Sequence, residues 1–375
     1  MCSQIKKYCC LLSILIISNL CYGQKQFHIL IQFAPTLDST NIEISLDNGK
    51  GLSRIPVLVK DRRIEINSEV YSKYAMLHIY SSATASQKIY FITKEESSII
   101  YFGGNKFVKD YPFVNSKLTS AIDLANCPEM EKLKNYTQRE TKDVVNFYEK
   151  HKDELKTNDS LRSIYKQKSR INVKKNLDFI RLNSNQYFYL WYFNLAFKST
   201  ENIEADSLLQ YYKEVLYPKY SNLFEANSIL DYLKGRTLKI NQSAPDFTTT
   251  DISGRKFSLK QLRGKYVLLN LWATWCGPCV AELPLIKKLR DDFPADQLKI
   301  ISISVDNTKA DLEKGIKKYG LNWTHVFKDM SLINKYHISS VVPLTFLIDK
   351  EGKLVYTRIG SLGDTHELRK LLMNK

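Results

Sequence analysis

The sequence predicts a multi-domain chain: an N-terminal antiparallel β domain, a central α-helical segment and a C-terminal α/β domain. Three observations predict it. The hydrophobic period changes along the chain, from two, to three or four, and then to a mixture of both. The length, 375 residues, exceeds one ordinary domain. A Cys-Gly-Pro-Cys stretch, Cys276 to Cys279, stands where a continuous apolar run gives way to a helical pattern.

The first segment is a leader. Lys6 and Lys7 form a basic start, Cys9 to Leu20 is an almost unbroken apolar run, and Cys21-Tyr22-Gly23 precedes a cut at Gln24. Residues 1–23 therefore read as a secretory signal peptide, and export to the periplasm follows. The run falls short of the roughly 20 apolar residues of a membrane span, although an uncleaved anchor is the alternative. Cys21 also invites a lipoprotein reading, against which Ser18-Asn19-Leu20 makes a poor lipobox. Cys2, Cys9, Cys10 and Cys21 fall in the leader, which leaves Cys127, Cys276 and Cys279 for the mature protein. Three cysteines do not make a disulfide scaffold. Cys127 reads as a half-buried lone thiol.

Residues 24–115 alternate apolar and polar side chains in strand-length pieces. Phe27 to Ile31, Ile42 to Leu46, Ile64 to Ile66, Met76 to Tyr80, Ile89 to Ile92 and Ile99 to Phe102 are separated by Asp, Asn, Gly and Ser clusters. The pattern predicts an antiparallel sandwich or barrel. Residues 116–236 carry apolar positions at three- and four-residue spacing with almost no Pro or Gly, which predicts several helices. Tyr187 to Phe193 is apolar all round and reads as a buried helix rather than a stacking platform. No flexible tether separates this segment from residues 237–375, so the last domain is expected to dock on the helices.

Within 237–375, Tyr266-Val-Leu-Leu-Asn-Leu-Trp272 has the composition of a strand buried on both faces. Leu283, Leu285, Ile286 and Leu289 then recur at helical spacing. Cys276 accordingly falls at a helix N-terminus, where unpaired N–H groups and the dipole favour a thiolate, the reactive form of cysteine. Two alternatives accompany this reading. A Cys-X-X-Cys pair can be half a zinc site, but the mature chain has no second pair, so no metal is expected. A purely structural disulfide would close too short a loop to add much stability.

These residues resemble a known family. From about Ile240 to Lys375 the chain looks like a thioredoxin-fold domain. It is most similar to the exported thiol–disulfide oxidoreductases typified by the cytochrome c maturation thioredoxins, the ResA/TlpA-like proteins. Ala244-Pro245-Asp246-Phe247 opens the domain, Gly264 to Thr274 leads into the cysteines, and Glu282 and Pro284 follow Cys279. Val342 to Asp349 matches the family's cis-proline strand, followed by the turn Glu351-Gly352-Lys353 and by Gly360. The resemblance implies a redox-active disulfide between Cys276 and Cys279, with substrate contacts at Trp275, Gly277, Pro278, Val342 and Pro343. It also implies a cis bond before Pro343; on sequence physics alone an ordinary trans proline at a strand start fits as well. Two departures stand out. The segment Tyr336 to Pro343 is one residue longer than the family spacing, and Leu344 replaces a common threonine. The β segment weakly resembles the small domain that precedes thioredoxin domains in exported proteins of Bacteroidetes-type bacteria.

Asn270 stands where cytosolic thioredoxins carry a buried aspartate that helps move the second cysteine's proton. Glu282 lies one helical turn beyond Cys279, on the same face. If buried, it would titrate closer to neutrality and relay that proton; otherwise it is a solvated helix residue. The Gly-Pro dipeptide is that of thioredoxin, whose potential is about −270 mV against about −120 mV for the oxidant DsbA. A reductase of protein disulfides is therefore expected, re-reduced by a membrane electron carrier, with no cofactor. The competing readings are a thiol peroxidase and a binding scaffold with a tethered thioredoxin domain. The peroxidase loop, Pro-X-X-X-Thr-X-X-Cys, would need proline where Asn270 stands, four residues before Thr274. The formal charge of +16 is spread over all parts and mixed with acids, as at Lys287 to Asp292. It forms no dense phosphate-tracking stripe, so nucleic acid is not an expected partner.

Overall fold

The computed structural model describes residues 25–33, 39–56, 62–82, 86–101, 121–123, 127–336 and 342–373. The leader, its cysteines, the expected 115/116 boundary and most of the lengthened segment before Pro343 lie outside the described residues. The chain divides into two compact units, one ending at Asp123 and the other beginning at Leu124.

Among the described residues the first unit holds eight strands: β1 (Lys25–Phe33), β2 (Ile42–Asp47), β3 (Leu52–Ile55), β4 (Arg63–Val70), β5 (Ala75–Ser81), β6 (Ser86–Ile92), β7 (Glu96–Tyr101) and β8 (Ala121–Asp123). They form two sheets, ordered β4-β1-β7 and β3-β2-β5-β6-β8. The period-two pattern explains the arrangement. Ile29, Ile31, Ile64 and Ile66 point from one sheet, and Ile44, Leu46, Leu77 and Ile79 from the other, into one shared core. Pairing is antiparallel except between β1 and β7, which run parallel. A parallel neighbour needs a long crossover, and here the chain from β2 to β6 supplies it. Alternation within strands carries no record of that direction, so the sequence predicted antiparallel pairing throughout.

The second unit begins with six helices: α1 (Pro128–His151), α2 (Asp159–Leu182), α3 (Tyr187–Ala196), α4 (Ala205–Val215), α5 (Tyr217–Tyr220) and α6 (Phe224–Arg236). Pro128 begins α1, where its missing N–H costs nothing. The Asn158 side chain caps α2 by accepting from Leu161 N. Helix α3 is buried around most of its circumference, and two of its polar tips are joined in a chain. Trp191 Nε1 donates to Tyr187 Oη at 2.6 Å, and Tyr187 in turn donates to the buried Glu225. Cys127, just before α1, is buried, and burial pushes its thiol pKa up.

The rest of this unit is α/β. Its elements are β9 (Thr248–Thr250), β10 (Lys256–Ser258), β11 (Tyr266–Trp272), α7 (Gly277–Asp292), β12 (Leu298–Ser304), α8 (Lys309–Tyr319), β13 (Thr324–Phe327), α9 (Met330–Lys335), β14 (Leu344–Ile348), β15 (Leu354–Ile359) and α10 (His366–Met373). The main sheet runs β13-β12-β11-β14-β15, with the first three strands parallel, β14 antiparallel to β11, and β15 antiparallel to β14 and so aligned with the first three. Central β11 is buried nearly throughout, as its apolar run predicts. Leu269, Leu271, Ile301 and Ile303 face one side, while Leu268, Ile300 and Leu347 face α7 and α10 on the other. The helices dock on this domain through α6 and α9, where Asn334 Nδ2 donates to Ser228 Oγ at 2.8 Å. The connecting stretch is itself tied down: Asn241 N reaches Leu354 O and Ala244 N reaches Gly352 O.

Candidate active site

Cys276 is the N-cap of α7, with extended backbone angles, and Pro278 occupies the first turn. Its Sγ accepts from Cys279 N at 3.2 Å, one of the donors that every helix start leaves unpaired. The two sulfurs are joined in a disulfide with Cα atoms 5.3 Å apart. Cys276 keeps 6% of its surface exposed, whereas Cys279 keeps none. Any partner sulfur therefore meets Cys276 first.

The surroundings of the pair divide into an open rim and a closed floor. Trp275 is 61% exposed, and Gly277 and Pro278 are exposed beside it. Across the gap, the Val342–Pro343 bond is cis, and the Val342 carbonyl lies 3.7 Å from Cys276 Sγ. Pro343 O accepts from Gly360 N, so the end of β15 adjoins this edge. There Ile359, paired with Leu344 in the ladder, exposes 73% of its surface. Sequence reasoning missed Ile359, although an apolar residue ending a strand beside the cis-proline was legible as a candidate. The rim thus offers apolar surface and the Val342 carbonyl around the Cys276 sulfur.

The approach to Cys276 is pinned from below. The buried Asp306 carboxylate accepts from Thr274 N at 2.9 Å and Thr274 Oγ1 at 2.7 Å, and Ser304 Oγ holds its other oxygen at 2.7 Å. Gly315 of α8 permits this path: a Cβ there would come within 2.4 Å of Thr274 Cγ2. Neither residue was singled out by sequence reasoning, because each acts through a partner at least thirty residues away.

Beneath Cys279 the floor is polar. Glu282 is only 1% exposed. Its Oε1 accepts from Asn270 Nδ2 at 2.9 Å, and its Oε2 from Leu362 N at 3.0 Å. Burial raises the carboxyl pKa, and both hydrogen bonds pull it part of the way back. The Asn270 amide cannot take up a proton as a carboxylate would. Its place opposite Glu282 gives it a different task, that of a donor. Pro284 lies inside α7 and removes the bond that would reach the Val280 carbonyl. Among the described residues no cluster of His, Cys, Asp or Glu is placed to hold a metal ion.

A dithiol held this way is the working group of a thioredoxin-fold oxidoreductase. Comparisons with known proteins give the family. Residues 240–357 match the AhpC/TSA family. The thiol-disulfide oxidoreductase ResA of Bacillus thuringiensis (strain Al Hakam) is 37% identical over 124 residues, which are 33% of this chain and 71% of that protein. ResA of Bacillus subtilis (strain 168) is 34% identical over 123 residues, 32% of this chain and 68% of that protein. Among solved structures, the thioredoxin domain of a thiol-disulfide oxidoreductase from Bacteroides vulgatus aligns with a TM-score of 0.33 and 26% identity, covering 36% of this chain and 99% of that one. StoA from Bacillus subtilis aligns at 0.30 and 26%, covering 34% and 96%. The chain belongs to the ResA/TlpA-like thiol–disulfide oxidoreductases and is such an enzyme.

Proposed function

We propose that the protein is an exported, periplasmic reductase of protein disulfides. The observation that carries this reading is the asymmetry of the pair: Cys276 is a partly exposed N-cap sulfur facing Val342 O, and Cys279 is sealed. In the reduced protein the Cys276 thiolate attacks a partner's disulfide. A Cys276–partner bond forms, the partner's S–S bond breaks, and one partner sulfur leaves as a thiolate. Cys279 then gives up its proton to Glu282 and attacks Cys276 Sγ. The Cys276–Cys279 disulfide closes and the second partner sulfur departs. Two electrons have moved to the partner. A membrane electron carrier would return them.

The exposed Trp275, Gly277 and Pro278 would contact the partner's side chains, and the Val342 backbone would pair with its chain beside Pro343. Export is supported by the leader pattern. Among the described residues no helix is long and apolar enough to cross a membrane. The test is a trap. Full-length Cys279→Ala should hold a covalent adduct with a disulfide-bonded protein substrate, released by reductant and located on Cys276 by mass spectrometry. No adduct at Cys276 contradicts the mechanism. Peroxide consumption by the purified protein at a rate matching disulfide reduction would instead favour the peroxidase reading.

A further inference from the structure

On the α7 face of the sheet, one row of side chains breaks the apolar surface. The strand registers place His325 of β13, Ser302 of β12, Asn270 of β11, Thr345 of β14 and Arg358 of β15 side by side. Ser302, Asn270 and Thr345 have no exposed surface. Leu268, Ile300 and Leu347 lie on one side of the row and Trp272 on the other. Buried polar groups in such a place cost stability unless they are paired.

Their pairing has a direction. Trp323 Nε1 lies 2.8 Å from Ser302 Oγ, Ser302 Oγ lies 3.3 Å from Asn270 Oδ1, and Asn270 Nδ2 lies 2.9 Å from Glu282 Oε1. An indole N–H can only donate. Ser302 Oγ therefore accepts from Trp323, and its own hydrogen goes to Asn270 Oδ1. That fixes which end of the amide turns towards Glu282.

We propose that Trp323 and Ser302 are positioning residues of the dithiol site, whose hydrogen-bond chain locks the Asn270 amide with its N–H side on Glu282. The proposal rests on Glu282 being the proton carrier for Cys279. With the chain intact, both carboxylate oxygens receive N–H donors, which favour the ionised form against the opposing effect of burial. With the chain broken, the amide is free to turn its Oδ1 towards Glu282, and the carboxyl holds its proton more tightly. On its own helix Glu282 is preceded by the Cys276–Cys279 pair, and from β15 come Arg358 of the row and the Tyr356 phenol, whose pKa burial raises and the Glu282 charge helps to raise. From β12, β11 and β14 the row presents Ser302, Asn270 and Thr345, and the loop after β15 presents the Leu362 amide.

Thr345 supplies the control. It sits in the same row, equally buried, but its Oγ1 has no hydrogen-bond partner among the described residues. The measurement is the pH midpoint of mixed-disulfide resolution in the full-length protein, compared across Ser302→Ala, Trp323→Phe, Thr345→Val and Glu282→Gln. Ser302→Ala and Trp323→Phe should each raise the midpoint by about one pH unit, the size expected for one lost hydrogen bond to a charged group. Thr345→Val should leave it in place. If Glu282→Gln moves the profile while neither Ser302→Ala nor Trp323→Phe does, the chain is idle and only this proposal falls. If Glu282→Gln also leaves the profile unchanged, the proton-carrier assignment falls with it. A shift in Thr345→Val equal to that in Ser302→Ala would make the effect one of general packing and overturn the proposal. Should Trp323→Phe fail to fold, Ser302→Ala, which removes a single oxygen, decides the matter alone.

Discussion

At the scale of single residues, the chemistry rests on two sulfurs made unequal by one helix turn. Cys276 caps α7 and keeps a little surface; Cys279 is sealed over a buried carboxyl. Burial is the larger influence on Glu282 and raises its pKa, so its useful range lies above that of an ordinary carboxylate. Below that range the group is protonated and cannot take the Cys279 proton. In the proposed mechanism Glu282 is the base, and Glu282→Gln removes it at nearly constant shape. Resolution of the mixed disulfide should lose its dependence on this ionisation, while the first attack by Cys276 changes much less; stopped-flow rates for each step against pH check this. The cysteines were legible because Cys-X-X-Cys chemistry requires a fixed local spacing. So was the shared face of Glu282 and Cys279, three residues apart. The roles of Asn270 and Ser302 were not legible. Their meaning comes from a register that aligns β11 with β12, thirty-two residues on, and only folding creates it.

At the scale of elements, strand β11 and helix α7 deliver the pair, and β14 delivers the residues facing it. The join between β11 and α7 is held by contacts from elsewhere: Asp306 after β12 and Gly315 on α8. Gly315→Ala would drive a methyl into Thr274, and overpacking of this kind costs about 1–3 kcal/mol. The variant should melt at lower temperature by calorimetry, and attack by Cys276 should slow more than global stability alone accounts for. Unchanged stability and unchanged attack would show that the loop yields freely. Most elements could be anticipated from periodicity, since apolar positions at two- or four-residue spacing have few ways to be buried. What periodicity lacks is partner and direction. The parallel β1–β7 pair could not be read from alternating residues, and neither could the docking of α6 on α9.

At the scale of the whole molecule, the buried row that positions Glu282 also carries a liability to acid. His325 is 2% exposed, stacks on Trp323 with ring centroids 5.7 Å apart, and burial lowers its pKa to about 4. A histidine depressed in the folded state adds stability above its ordinary pKa of about 6.5, which is lost as pH falls towards about 4. The difference corresponds to roughly 3 kcal/mol. In denaturant melts the wild type should therefore lose stability relative to His325→Phe across that window as pH falls. Parallel curves would mean that His325 is not held neutral. The electron balance is likewise a property of the entire protein. Equilibration of the full chain with glutathione should place the couple below about −220 mV, on the reducing side of the known range, whereas a value above about −150 mV would make it an oxidant. The central claim, that Cys276 attacks and Cys279 resolves, is tested most directly by limited alkylation of the reduced full-length protein with iodoacetamide at neutral pH, followed by peptide mass spectrometry. Label should accumulate on Cys276 well before Cys279; preferential labelling of Cys279 would contradict the account.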